Sequence, residues 1–405
     1  MNSYEEAIRK FTQAINNNPN DSFAYAFRGE KYLELNRLEE ALADTSEALK
    51  LEPDYFPAYL TRAKVYMTLN QFEQALADLN EALHLQPNYL EALSCRGISF
   101  KMMNQHKEAA KDFCEVIRHA PDTEDAELAY YSLTELFLEN DAYEEAVKCA
   151  NAALQIMEES RTYALRGEAY RRMGQNEQAI DDFSAALRLN PASLLACVRR
   201  GDANMAIRRY ENAIRDFSAA IRLAPDKPVP YARRADAYIE MKLYDKAAQD
   251  YSEALNLDRD DAFLLCARAQ AYRCLNLYEK TVIDASEALE LDSNFILAYG
   301  LRGNSYLKMK LYEKALCDFD QALKLDPQAA WLYAERAEVY KYMGREEEAI
   351  KDYSEVIRLK SGDFVAYSFR GDLYKRQGLI DEAAADFEEA RKLKPAGETP
   401  RGQRL

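Results

Sequence analysis

Histidine is scarce in this chain of 405 residues: His84, His106 and His119 are the only three, they stand far apart, and none has metal-ligand spacing. That speaks against a zinc site or a histidine-based catalytic centre. No glycine-rich phosphate loop, no G-x-S-x-G and no H-E-x-x-H occurs, so neither nucleotide cradling nor the common hydrolytic arrangements are expected. No apolar run approaches 18 residues, and the opening Met-Asn-Ser-Tyr-Glu-Glu has no basic segment followed by an apolar one. A membrane span and a secretory signal are therefore not expected. The seven cysteines, Cys95, Cys114, Cys149, Cys197, Cys266, Cys274 and Cys317, form no C-x-x-C pair and read as small buried apolar residues in a reducing compartment. Positive charge is outweighed, with 53 Lys and Arg against 69 Asp and Glu and a net charge of -16, which disfavours a general grip on nucleic-acid phosphates or anionic lipid. The expectation is a cytoplasmic protein without metal or cofactor, not an enzyme, whose partners are proteins or peptides.

What the chain has in abundance is repetition. Ala41, Ala75, Ala109, Ala146, Ala179, Ala213, Ala247, Thr281, Ala315, Ala349 and Ala383 recur at a spacing of 34 residues, with one interval of 37 followed by one of 33. Such a period means a stack of like units in place of independent domains. In residues 296–329, apolar residues at Tyr299, Tyr306 and Leu307, then at Tyr312, Ala315, Leu316, Phe319, Ala322 and Leu323, follow helical spacing and predict two amphipathic helices. Between them sits Lys310, where sister repeats carry Asn36, Asn70, Asn104, Gly174, Asn276, Gly344 and Gly378, residues suited to a left-handed helix end. Prolines at Pro53, Pro87, Pro121, Pro191, Pro225, Pro327 and Pro395 stop the second helices of their units. Mid-helix Gly29, Gly97, Gly167, Gly201, Gly303 and Gly371, with alanine in most sister units, imply close helix contact, and the anchor alanine is the expected facing residue.

This pattern resembles the tetratricopeptide repeat family: Tyr299, Gly303 and Tyr306 meet Ala315, Phe319 and Ala322, followed by Pro327, and the match runs over nearly the whole chain. The resemblance implies an all-α, right-handed superhelical solenoid of about eleven helix-turn-helix repeats plus an N-terminal half repeat. First helices would line a concave surface and second helices would face outward. The recurrent tyrosines read as packing residues.

An arginine precedes the small site in ten units, from Arg28 to Arg370 and including Arg200 and Arg302, and an aspartate follows the anchor by three residues in ten, from Asp44 to Asp386 and including Asp216 and Asp318. The unit lacking one lacks both, with Leu133 and Cys149 instead. A bond from one unit to the next would leave Asp112 facing Leu133, whereas a bond within the hairpin leaves no orphan. Partly buried structural pairs such as Arg302–Asp318 and Arg200–Asp216 are expected.

Five segments follow: a half repeat (1–20), regular units (21–123), a divergent unit (124–159) with three extra residues near Thr123 to Asp125 and an expected kink or altered pitch, further regular units (160–395), and a polar, disordered tail (396–405). Helix 380–393 has no further helix to cover its far side, which suggests end-to-end dimerisation or a missing neighbour.

Inward positions on the first helices gather Arg161, Arg171, Arg172, Arg199, Arg233 and Arg273 among Glu168, Asp202, Asp236 and Glu240, interleaved with Leu195, Val229 and Phe263. Such a patch suits an acidic or carboxylate-bearing peptide; alternatively Arg199 with Asp202 and Arg233 with Asp236 neutralise one another on one helix. Phe23, Phe27, Tyr131, Trp331, Tyr342 and Phe369 also face inward, and Trp331 is the sole tryptophan. The lysine and asparagine set with which co-chaperone members of the family hold a terminal carboxylate is absent from any three consecutive units. The leading expectation is a scaffold that binds a peptide or helical segment along the groove. The alternative is a regulatory or targeting module of a larger enzyme or assembly, acting through end-to-end self-association. RNA binding conflicts with the acidic charge.

Overall fold

Helical periodicity, a turn residue and a stop recur in each repeat, and each repeat folds as an antiparallel helix pair. The computed structural model describes residues 3–394, so Pro395 and the tail 396–405, for which disorder was expected, lie outside the described residues, as do the first two positions of the half repeat. Among the described residues there are 23 helices and no strand, an all-α helical-repeat solenoid. The chain divides into two compact units, Met1–Ile207 and Arg208–Leu405. The first holds the single helix α1 (Ser3–Asn17), then the hairpins α2–α3 (Ser22–Glu34, Leu38–Leu51), α4–α5 (Phe56–Thr68, Phe72–Leu85), α6–α7 (Leu90–Met102, His106–His119), α8–α9 (Glu124–Glu139, Tyr143–Ile156) and α10–α11 (Ser160–Arg172, Asn176–Leu189), and finally α12 (Leu194–Ala206). The second opens with α13 (Tyr210–Leu223) and continues with α14–α15 (Pro228–Glu240, Tyr244–Leu257), α16–α17 (Ala262–Cys274, Tyr278–Leu291), α18–α19 (Ile296–Lys308, Tyr312–Leu325), α20–α21 (Ala330–Tyr342, Glu346–Leu359) and α22–α23 (Phe364–Arg376, Ile380–Leu393).

The turn inside each hairpin is a left-handed cap. Asn36, Asn70, Asn104 and Asn276 have φ near +60°, and so do Arg208, Lys242 and Lys310, which carry bulky side chains in that region. The following N–H then reaches back over the helix end, as from Leu311 to the Tyr306 carbonyl at 2.8 Å, satisfying carbonyls that the helix leaves open. Some first helices start on a side-chain cap: Asp21, Thr123, Ser193, Asp261 and Asp363 accept from backbone N–H groups of the first turn, each such cap contributing about 1 kcal/mol.

Packing within the hairpin differs in one detail from the expected facing of small residues. Five of the mid-helix glycines are held by the residue four positions after the anchor: a Cβ on Gly29 would come 2.9 Å from Thr45, one on Gly97 2.8 Å from Phe113, and Cβ atoms on Gly167, Gly303 and Gly371 would meet Phe183, Phe319 and Phe387 at 3.0 Å. The flat ring needs the room, and the anchor alanine packs beside it, fully buried. Cysteine burial also departs from expectation, since Cys114 and Cys317 are exposed while Cys95, Cys197 and Cys266 are buried. Both exposed thiols lie on outward turns of second helices.

The charged pairs do more than close their own hairpins. Nine arginines (28, 62, 96, 166, 234, 268, 302, 336 and 370) each donate from Nε and Nη2 to both carboxylate oxygens of the aspartate 16 residues on, at 2.6–2.9 Å. Arg200 and Asp216 belong to different compact units. The third nitrogen, Nη1, turns to the preceding second helix, where it meets Thr12, Ser46, Asn80, Asn151, Ser184, Ser218, Ser252, Ser286, Asp320 or Ser354. Rings of the recurrent tyrosines flank the same cation, Tyr333 and Tyr340 lying 5.5 and 5.8 Å from Arg336. Nine arginines thus fasten their own hairpins through a carboxylate and the previous repeat through a hydroxyl, an amide or, for Arg336, the Asp320 carboxylate. Where Leu133 replaces the arginine, Cys149 takes the aspartate site and Cys114 the hydroxyl site, so no polar group there needs a partner.

The divergent unit keeps its place in the first compact unit. Its extra residues extend α8 to 16 residues, against 13 in the other first helices, and the turn to α9 retains the usual bond from Ala142 N–H to the Phe137 carbonyl at 2.8 Å. In both compact units neighbouring first helices pack on one another, α6 on α8 and α16 on α18 among them, whereas contact between neighbouring second helices is weaker. Within each compact unit the first helices therefore form a layer.

Candidate functional site: the face of the first helices

A single register on the first helices presents large apolar side chains that stay exposed. The second residue of α14, α16, α18 and α20 is Val229, Phe263, Leu297 or Trp331, and all four are exposed, Phe263 to 75% and Trp331 to 46%. In the first compact unit Phe23 and Leu195 hold this register and are exposed as well, while Arg161 holds it on α10. Trp331 lies back across α18, and a Cβ on Gly300 would strike its indole. The absence of a side chain at Gly300 thus seats the tryptophan. Phe263 leans on Phe295 with centroids 4.9 Å apart.

The arginines of the expected basic patch are not free charge. In the first compact unit Arg171 forks Glu168 at 2.6 and 2.8 Å, Arg172 reaches the same carboxylate at 2.9 Å, and Arg199 lies 3.7 Å from it and 3.4 Å from Asp202. Burial alone would raise the Glu168 pKa, but hydrogen bonds from Arg171 and Arg172 outweigh it and hold the carboxyl below its usual range. Arg161 donates to Glu127 at 2.9 Å and covers the Tyr131 ring at 4.7 Å. Glu127 is buried and also accepts from Thr162; nothing in its sequence neighbourhood distinguished it. Tyr131, Arg161, Leu195 and Arg199 line one cleft of about 480 Å³ together with Glu135 and Glu168. Arg161 with Glu127 and Arg199 with Glu168 are contacts between neighbouring first helices, whereas Arg199 with Asp202 is a pair three residues apart on one helix.

In the second compact unit Val229, Arg233 and Phe263 share a cleft of about 330 Å³ with Asp236, Asp258 and Asp261. Arg233 lies 3.7 Å from Asp236, and Tyr251 donates to Asp236 at 2.6 Å, burial pushing the phenol well above its ordinary pKa. Arg273 and Trp331 line neither cleft.

Arg273 is different from the other arginines. Its Nε is buried without a hydrogen-bond partner. Lys341 holds the same register two units on and is half-buried; burial lowers its pKa, and its ammonium sits 4.2 Å over the Phe369 ring. Elsewhere this register carries Leu33, Met67, Met205, Ile239 and Leu307, but also Lys101, Arg171 and Lys375. Arg273 and Lys341 differ from Lys101 and Arg171, which make ion pairs with Glu135 and Glu168 at 2.8 and 2.6 Å. Between them, Asn304 donates to Glu335 at 2.8 Å, and burial raises the Glu335 pKa.

Among the described residues no group of three or more histidine, cysteine or acidic side chains could hold a metal ion, and no helix is long and apolar enough to cross a membrane. Profiles of the tetratricopeptide repeat match residues 1–56, 165–228 and 334–398, and further profiles of the same repeat match 56–89, 230–261 and 296–328. No curated relative matches the sequence. Solved structures similar to the chain include MamA (25% identity over 39% of this chain and 93% of that one, TM-score 0.38), YrrB, described as a tetratricopeptide repeat protein with an unusual peptide-binding site (18%, 45% and 95%, 0.40), and yeast Tom70 (17%, 96% and 92%, 0.40).

Proposed function

Because this chain belongs to the tetratricopeptide repeat family, we propose that it is a non-enzymatic scaffold of the cytoplasm that takes up a segment of a partner protein across the face of its first helices. The observation carrying this reading is the exposed apolar line at one register, Val229, Phe263, Leu297 and Trp331 in the second compact unit with Phe23 and Leu195 in the first. Covering each such side chain is worth about 1.5–3 kcal/mol, and repetition along an array adds these increments without any single deep pocket. The paired arginines Arg161, Arg171, Arg172, Arg199 and Arg233, with Tyr131, supply a polar rim that orients the segment, since exposed pairs of this kind contribute about 0–1 kcal/mol each. Capture of partners from native lysate by the intact chain, compared with a Phe263→Asp/Leu297→Asp variant, tests the reading. Loss of the captured proteins is the expected result; undiminished capture refutes it.

A second mode is favoured by α23, where Ile380 is 61% exposed beside Leu379: association of two copies through that helix, as suits a module of a larger assembly. A strict monomer in light scattering at high concentration removes this mode.

A further inference from the structure

The charge on the first-helix face of the second compact unit specifies the segment more closely, on the premise that this face is where the scaffold binds. Toward the C-terminal ends of α16, α18, α20 and α22 stand Arg273, Lys308, Lys341 and Lys375, and among the described residues no carboxylate lies within ion-pair distance of any of them. Facing them are Glu335, engaged by Asn304, and Glu338 and Asp372. The residues in the row beside Arg273 and Lys308 are the neutral amides Gln270 and Asn304, where other units carry Glu30, Glu135 or Glu168. A chain of net charge -16 has thus kept four cations out of close ion pairs, although the charge of Glu335 acts on Arg273 and Lys308 and that of Glu338 and Asp372 on Lys341, and one of the four has a buried and unsatisfied Nε. Burying a cation without a partner is unfavourable unless an anion completes the site.

We propose that the second compact unit receives an acidic amphipathic helix of a partner protein, its apolar stripe on Val229, Phe263, Leu297 and Trp331 and its side-chain carboxylates on Arg273, Lys308, Lys341 and Lys375. The two rows lie about 15–16 Å apart along α16, α18 and α20, from offsets of ten residues (Phe263 to Arg273, Trp331 to Lys341) and eleven (Leu297 to Lys308). A helix about 10–12 Å wide with its side chains, met by the long stems of lysine and arginine, spans both rows; an extended chain laid on one row leaves the other uncovered. Neighbouring packed helices are about 8–10 Å apart, and seven residues of a crossing helix advance about 10.5 Å, so one heptad of the partner matches one repeat of the array. The two rows together span five first helices, α14 to α22, of which a partner helix of about 20 residues covers four. The cations are distributed over four helices, which suits several side-chain carboxylates and not a single chain terminus.

The test uses the intact chain and an acetylated, amidated probe helix of about 20 residues with leucine at heptad core positions and glutamate beside them. Trp331 emission and the gain in helical circular dichroism report uptake. The acidic probe is expected to bind, a lysine-for-glutamate probe to fail, and an Arg273→Glu/Lys308→Glu variant to bind the acidic probe at least about tenfold more weakly. Arg273→Gln/Lys308→Gln, which alters shape least, is expected to weaken it several-fold if the reversed variant does not fold. Equal binding of the lysine probe, indifference to these substitutions, or binding that requires a free C-terminal carboxylate would overturn the charge assignment while leaving uptake on the first-helix face intact. Silence of every probe while Phe263→Asp/Leu297→Asp still abolishes partner capture would overturn this inference alone. Silence with capture unaffected would overturn both readings.

Discussion

Replacing Arg302 by methionine keeps the alkyl stem and removes the fork. Three hydrogen bonds disappear: Nε and Nη2 to Asp318 at 2.9 and 2.8 Å, and Nη1 to Ser286 at 3.1 Å. Asp318 is left 4% exposed with no cation. Removing one partner of a fully buried pair costs about 3–5 kcal/mol, but the Arg302 side chain is 20% exposed, so water can reach the vacated site and the lower end, about 3 kcal/mol, applies. Asp318→Asn leaves the guanidinium access to solvent and should cost about 1.5–3 kcal/mol, the range for hydrogen bonds to charged groups. Ser286→Ala removes one neutral acceptor, about 0.5–1.5 kcal/mol, and because that bond crosses between repeats its loss should reduce the coupling of α17 to α18 more than the stability of either hairpin. Urea unfolding followed by Trp331, which sits one repeat away on α20, gives the three single values and the Arg302→Met/Asp318→Asn double value. The expected coupling between Arg302 and Asp318 is about 1.5–3 kcal/mol. A coupling under about 0.5 kcal/mol, the scatter expected for independent sites, would sink the claim that this pair holds the hairpin.

Three further outcomes follow from the same packing. Converting the apolar site of the divergent unit to the common set, Leu133→Arg with Cys149→Asp and Cys114→Ser, should form the missing fork and raise the urea midpoint, whereas Leu133→Arg alone should lower it by burying a lone cation; equal midpoints would contradict the assignment. Gly97→Ala gains about 1 kcal/mol of helix propensity but forces a Cβ to 2.8 Å from Phe113, an overpacking cost of about 1–3 kcal/mol, so a net loss of stability is expected and a stabilised variant would refute the close contact. Burial raises the Asp352 pKa above 3.8 in spite of hydrogen bonds and charge from Arg336. A carboxyl raised on folding holds its proton more tightly in the folded state, so its contribution falls as pH rises from 3.8 through the raised value, and Asp352→Asn should flatten the stability-pH curve in that window. An unchanged slope would count against the sign.

Much of this architecture was legible in one chain because every repeat meets nearly the same surroundings. Position Asp318 could be assigned to Arg302 without coordinates, since ten arginines, ten aspartates and one unit lacking both leave only one pairing that orphans nothing. The third arginine bond was equally present in the string, as Ser46, Ser184, Ser218, Ser252, Ser286 and Ser354 two residues after each aspartate, but a hydroxyl has no fixed charge to announce its partner. The facing of glycine by phenylalanine and not by alanine also needed coordinates, because the side-chain direction on a helix, leaning toward its N-terminus, decides which of two nearby residues meets the opposite backbone.

The binding face divides in the same way. Local periodicity determines that Val229, Phe263, Leu297 and Trp331 share one register, for register depends only on residue count and helical pitch. Whether a charge in that layer is available depends on separations between helices distant in sequence. Arg161 is matched to Glu127 across 34 residues and Arg199 to Glu168 across 31, whereas Arg273 acts on Glu335 only through its charge and its Nε is buried without a partner. Spacing along the chain determined which side chains line the layer, and only the packing of one first helix on the next decided which of them were already satisfied, because Coulomb attraction and hydrogen bonding act over a few ångströms of space and take no account of distance along the sequence.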